Sequence, residues 1–247
     1  MKPGLWAVLG ALALSPISGR CGAPFETDDP NTVAAGHVEL LVFYQGTLTA
    51  AGRSGSAPGF EAHFGALDGL ELDVAGALAF DTGAGAGTQW GYGDTTLGLK
   101  YRVIPESEAV PLVSLVPKLT IPTGDGDRGL GNGGSQVFLA ASAQKTQGSF
   151  QTYGNAGYWI NNGPNNRNYW FFGWQAQYQF SDAWTIGAEI FHTTGQTTGE
   201  SPSTGFNVGG YYVFNPQRQL LFSAGRGMQN AAVTNRVSAY AGFQLSF

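Results

Sequence analysis

The sequence predicts an all-β fold, a transmembrane antiparallel up-and-down β-barrel of about 12 strands with both termini on the periplasmic side. Three observations carry this expectation. The chain ends in VSAYAGFQLSF, where Val237, Ala239, Ala241, Phe243 and Leu245 alternate with the small or polar Ser238, Tyr240, Gly242, Gln244 and Ser246. Period-two runs elsewhere are separated by connections that tend to alternate between long and tight. Finally, only 12% of the 247 residues are charged, about half the usual share of roughly 25%. Mean hydropathy is nevertheless -0.08, so Gly and small polar residues, rather than Leu and Ile, replace the missing charge. Such a chain suits strands with one face in lipid and one in a polar lumen.

The N-terminus reads as a secretory leader over residues 1–23. Lys2 supplies a basic start, residues 5–14 are apolar, and Pro16 and small residues lead to cleavage between 19 and 23. Cys21 is the single cysteine, and Arg20 before it disfavours lipidation. No disulfide framework is available. Beyond the leader no stretch is apolar for the 18 or so residues of a spanning helix. Residues 24–36, PFETDDPNTVAAG, form an acidic segment before the first strand. It could be a solvated periplasmic tail, or a short plug in the barrel mouth using Phe25, Asp28 and Asp29.

The barrel is expected over 37–247, with strands near 37–46, 58–66, 69–80, 89–103, 110–121, 135–145, 149–160, 168–180, 183–193, 204–214, 218–226 and 236–247. Most have the length a tilted strand needs to cross a bilayer. In ELDVAGALAF, Leu72, Val74, Leu78 and Phe80 oppose Glu71 and Asp73. In YWFFGWQAQYQF, Trp170, Phe172, Trp174 and Tyr178 oppose Gln175, Gln177 and Gln179. Periodicity leaves 135–145 and 149–160 ambiguous. The long connections are expected at 47–57, 81–88, 122–134, 161–167, 193–205 and 227–235, and the short ones near Asp68, at 104–109, 146–148, 181–182 and 215–217. Long loops outside and tight turns inside are the asymmetry of an outer-membrane barrel. Closure satisfies every backbone group, as hydrocarbon demands.

PFETDDP (24–30), GDTTLGLKYR (93–102), LTIPTGDGDRGLGNG (119–133), YGNAGYW (153–159), GAEIF (187–191), SAGRG (223–227) and the terminal AYAGFQLSF occur in order across nearly all of the chain after the leader. This set resembles the outer-membrane transporter family named after the meta-cleavage pathway of phenol degradation. The resemblance implies an outer-membrane barrel for passage of small compounds, hydrophobic or aromatic ones included. It implies no defined substrate or transport site.

If the apolar faces meet lipid, the opposite faces carry Glu39, Glu61, His63, Glu71, Asp73, Asp94, Lys100, Arg102, Lys118 and Glu189 into the lumen. Charges in so narrow a space need partners. Pairing of Lys100 and Arg102 with Asp94, Asp73 or Glu71 would stiffen the lumen. The same residues, with Lys118 and Glu189, would form a constriction that selects solutes. Asp28 and Asp29 could meet Lys100, Arg102 or Lys118.

Asp125 and Asp127 have calcium-like spacing but lack the rest of an EF-hand, so a loop without metal is expected. With no basic cluster and a net charge of -5, a nucleic-acid partner is excluded. The expected partners are the lipid bilayer, the outer-membrane assembly machinery, addressed through Phe243, Leu245 and Phe247, and a small-molecule permeant. No cofactor and no catalysis are expected. A structural or adhesive barrel is the alternative. A lipid hydrolase is a further one, with His192 as its residue to test, although no G-x-S-x-G motif is present.

Overall fold

The computed structural model describes residues 23–83 and 87–247. The leader expectation falls, but for Ala23, outside the described residues, as does part of the 81–88 connection. The strands are β1 (Val38–Leu48), β2 (Gly52–Leu67), β3 (Leu70–Gly83), β4 (Thr88–Tyr92), β5 (Thr95–Ile104), β6 (Leu112–Leu115) and β7 (Lys118–Ile121). They continue as β8 (Gln136–Gln147), β9 (Phe150–Asn161), β10 (Tyr169–Gln179), β11 (Trp184–Thr193), β12 (Ser203–Asn215), β13 (Arg218–Gln229) and β14 (Val237–Ser246). β4 and β5 both pair with β3 and are halves of one crossing, interrupted at Gly93 and Asp94. β6 and β7 both pair with β5 and β8 and are likewise one crossing, interrupted at Val116 and Pro117. The result is a closed antiparallel barrel of 12 strands.

β1 and β14 close it in register from Glu39↔Ser246 to Leu48↔Val237. Val38 and Phe247 exchange backbone hydrogen bonds at 3.1 and 2.9 Å, which extends the seam to the last residue. Both ends of the barrel chain therefore lie at one rim, the rim that also carries the turns at 68–69, 148–149 and 216–217.

The largest boundary difference from the sequence expectation is at the start of β2, while other strand ends shift by no more than three residues. Residues 52–57 belong to β2 rather than to a long loop, leaving only 49–51 as the connection. GRSGSA looks like loop because it is small and polar, yet it lies in the ladder against β1 and β3. The small residues are needed there: a Cβ on Gly55 would stand 2.0 Å from the Gln45 carbonyl oxygen. A register shift between Ser56 and Gly59 then restores the alternation that puts Glu61 and His63 inside.

The outward face is an apolar belt that includes Leu72, Val74, Leu97, Leu119, Trp174 and Val208. Aromatic groups flank it, with Tyr44, Phe80 and Trp90 near the loop rim and Trp184, Tyr212, Phe214 and Phe243 near the turn rim. Amphipathic rings at the edges of a hydrocarbon-facing band match the two bilayer interfaces. Leu97, between Val74 and Leu119 in the ladder, sits near the middle of this band. Leu97→Arg should lower stability by about 2–4 kcal/mol. Urea unfolding in lipid vesicles, with Leu97→Phe as the near-neutral control, checks this.

Because lipid takes the outer face, the packed interior of this protein lies inside the barrel. Leu41, Tyr211 and Leu221 make one buried cluster, with Ala23, Phe43 and Tyr240 against it. Val116, Phe138, Ala140 and Phe171 make a second, with Trp159 and Phe191.

Candidate functional site

Residues 23–36 run inside the barrel, from the turn rim towards its middle. Contacts to the wall recur along most of this segment's length. The Gly36 N–H donates to Gly65 O at 2.7 Å, and the Val33 N–H to Glu71 Oε2 at 2.6 Å. Asn31 Nδ2 donates to Gln144 Oε1 at 2.8 Å, and Ser114 Oγ to Pro30 O at 2.5 Å. Lys118 Nζ spans both oxygens of Asp28, at 2.9 and 2.7 Å. The Glu26 and Thr27 N–H groups and the Thr27 hydroxyl all donate to the Glu189 carboxylate at 2.7 to 2.9 Å, with Asn207 Nδ2 as its fourth donor at 2.6 Å. Ser223 Oγ reaches Pro24 O at 2.6 Å. Two prolines remove donors that the lumen would otherwise have to satisfy.

Two wall glycines let the segment approach. A Cβ on Gly173 would lie 2.3 Å from Thr27 Oγ1, and one on Gly65 would lie 2.0 Å from Ala34 O. Such distances admit no side chain.

Beyond the segment, towards the loop rim, is a cavity of about 310 Å³. Ala23 to Glu26 and Asp28 form its floor. Trp159, Val116 and Tyr240 give it apolar walls. Trp159 belongs to an inward aromatic array, stacked on Phe138 at 4.5 Å and on Tyr169 at 5.8 Å, with Phe171 edge-on to Phe138 at 6.3 Å. Periodicity did not reveal this array, because β8 and β9 carry apolar or small residues on both faces.

The opposite wall is charged. The His63 ring Nδ1 is 2.7 Å from Asp73 Oδ1, and Nε2 is 3.4 Å from Glu61. Lys100 Nζ stands 3.7 Å from Glu71, both buried. One ligand atom each from His63, Glu71 and Asp73 falls within 4.8 Å of the others, close enough to hold a metal ion. The same atoms are engaged with one another and, through Glu71, with Val33 and Lys100.

Of the constriction candidates, Glu71, Asp73, Lys100 and Lys118 are therefore brought together around the cavity, and Glu189 lies under it. Two others sit elsewhere. Arg102 reaches the turn rim, where its Nη2 is 2.5 Å from Asp68. Asp94 lies where β4 passes to β5 and accepts from the Gly124 and Asn132 N–H groups, at 2.9 and 2.7 Å, fixing the 122–134 loop. Of the acids on the segment, Asp28 meets Lys118, while Asp29 accepts from Asn31 at 2.9 Å. Phe25 is buried at the cavity floor. Phe243 and Leu245 lie on the outward row of β14, with Phe247 exposed at the turn rim. His192 Nδ1 is 2.8 Å from Thr204 Oγ1, which donates to Gln229. This chain of amide and hydroxyl contains neither a serine nor a carboxylate. Asp125 Oδ1 accepts from the Arg128 N–H and caps a short 3₁₀ turn.

Glu26, outside the spanning strands, has its carboxyl pushed up to about 7. Enclosure in the barrel is the main cause, followed by the charges of Glu189 and Asp28, with Lys118 opposing. Its negative charge is therefore lost as pH falls through about 7. Between the ordinary value of 4.5 and that point, the folded state holds a proton that the unfolded chain does not. Acidification across this window consequently favours the folded state at this group.

An outer membrane channel from Pseudomonas putida F1 is similar in structure, with 20% identity, a TM-score of 0.64, and coverage of 89% of this chain and 98% of that one. The KdgM porin in complex with disordered oligogalacturonate is similar at 12% identity and TM-score 0.58, covering 85% and 99%. The NanC porin is similar at 8% and 0.57, covering 85% and 98%. At such identities the likeness is one of fold. No curated protein matches the chain. The family described as "Putative MetA-pathway of phenol degradation" matches residues 47–247.

Proposed function

The chain belongs to that phenol-degradation family, and on this premise we propose that it is an outer-membrane channel for passive passage of small compounds, aromatic ones included. The observation that carries the reading is the lumenal cavity, floored by the chain's own N-terminal segment and walled by Trp159 on one side and charged groups on another. Stacked with Phe138 and Tyr169, the Trp159 indole offers its remaining surface as an apolar contact for a flat ring, and the polar wall accommodates hydroxyl groups. Solute moves down its gradient, and no energy source is required.

In this reading residues 1–23 are the leader, cleaved between 19 and 23, and the turn rim and both termini face the periplasm. Residues 24–36 act as a plug that narrows the lumen. Phe243, Leu245 and Phe247 address the assembly machinery. Glu71, Asp73, Lys100, Lys118 and Glu189 set the width and charge of the passage. The protein performs no catalysis: the surroundings of His192 favour a structural role for that ring.

Reconstituted protein should give flux of small neutral aromatic solutes in liposome swelling. Trp159→Ala should change the ratio of aromatic to aliphatic flux roughly two- to tenfold, the equivalent of about 0.5–1.5 kcal/mol of ring contact. Liposomes tight to every solute would count against a channel.

A further inference from the structure

We propose that the lumenal cavity is a charge filter that passes small cations in preference to anions. The proposal rests on the channel reading and adds to it which sign of solute is favoured. Five carboxylates line the cavity, those of Glu26, Asp28, Glu61, Glu71 and Asp73. The basic groups in the lining are Lys100, Lys118 and His63. The balance is negative even with the imidazole charged.

The positive groups are also matched. Lys118 is clamped by Asp28, Lys100 stands by Glu71, and His63 by Asp73. Negative charge in excess of these pairs lies on Glu61, which is 3.4 Å from the His63 ring, and on Glu26, whose side chain opens into the cavity. Arginine does not restore the balance. Arg102 is paired with Asp68 at the turn rim, and Arg128 is held by Gln89 and the Trp90 carbonyl in the 122–134 loop. In a narrow space with low-dielectric walls, an unbalanced lining concentrates counter-ions and excludes co-ions.

The filter depends on pH through Glu26. The groups facing Glu26 are Glu189 of β11, Lys118 of β7, Asp28 of its own segment, and the Tyr169 phenol of β10. Its charge is present above about pH 7 and lost below it, so cation preference weakens on acidification.

The test is the reversal potential of the purified protein in a planar bilayer under a KCl gradient. Potassium should permeate several-fold better than chloride at about pH 8, and the ratio should fall as pH passes through about 7. Glu61→Gln should lower the ratio at every pH. Glu26→Gln should lower it at alkaline pH and abolish the step near neutrality. Both changes are isosteric, and heat-shifted electrophoretic mobility verifies the folded barrel. A conducting channel that prefers chloride, or whose reversal potential ignores both substitutions, overturns the filter while leaving the channel reading in place. Silence in every bilayer, with the barrel folded, overturns the channel reading and the filter with it.

Discussion

Glu189→Ala should unseat the N-terminal segment from the barrel wall. Four donors converge on this buried carboxylate, three of them from Glu26 and Thr27. Truncation removes the acceptor but not the donors. Each stranded buried N–H or hydroxyl costs about 1–3 kcal/mol, so the docked arrangement should lose about 2–5 kcal/mol. The wall itself should survive, since the β10–β11 and β11–β12 ladders do not use the side chain. The expected result is a folded barrel whose residues 24–31 exchange amide hydrogen faster by orders of magnitude and whose conductance flickers. Glu189→Gln keeps one acceptor and should fall between. Unchanged exchange at Thr27 in the alanine variant would show that the other wall contacts, at Pro24, Asp28, Pro30, Asn31, Val33 and Gly36, hold the segment without Glu189.

Deleting residues 24–36 should raise conductance several-fold, because the cavity floor goes with them. Their wall partners Lys118, Ser114, Gln144 and Ser223 would then face water, which can satisfy them. The barrel should therefore remain folded, with its urea midpoint modestly reduced. Liposome swelling with solutes of graded size would measure the widening. If the size limit stays where it was, the narrowest point lies elsewhere, and the interlocked loops around Asn132, Asn161 and Gln196 become its place.

Much of this molecule is readable from sequence because a barrel in lipid obeys one strict rule: alternate residues meet hydrocarbon. Leu72 and Val74 against Glu71 and Asp73, or Trp170, Phe172 and Trp174 against Gln175, need no tertiary information to be assigned a side. The rule fails where a face is neither plainly greasy nor plainly wet. Residues 52–57 have that character, and their place in β2 follows from a bulge that only the ladder displays. Phe138 and Trp159 evade it for another reason: an aromatic ring inside a barrel has the same sequence signature as one outside. Charge placement is legible by side but not by height. Lys100, Lys118, Arg102 and Asp94 all belong to the inner or rim set, yet whether each meets the cavity, the turn rim or a loop depends on strand stagger. The pairing of Asp28 with Lys118, among the partners the charges allowed, depends on how far a proline-flanked segment reaches up the bore.

The segment also has a mechanical meaning. Its anchors lie on β2, β3, β6, β7, β8, β11 and β13, spread around most of the circumference. A closed sheet of this size is a hoop, free to flatten into an oval with little change in any single hydrogen bond. Thirteen residues tied to opposite walls act as the spokes of a wheel. Lateral pressure from the surrounding bilayer can then be carried across the bore by a stretch of chain that belongs to none of its strands.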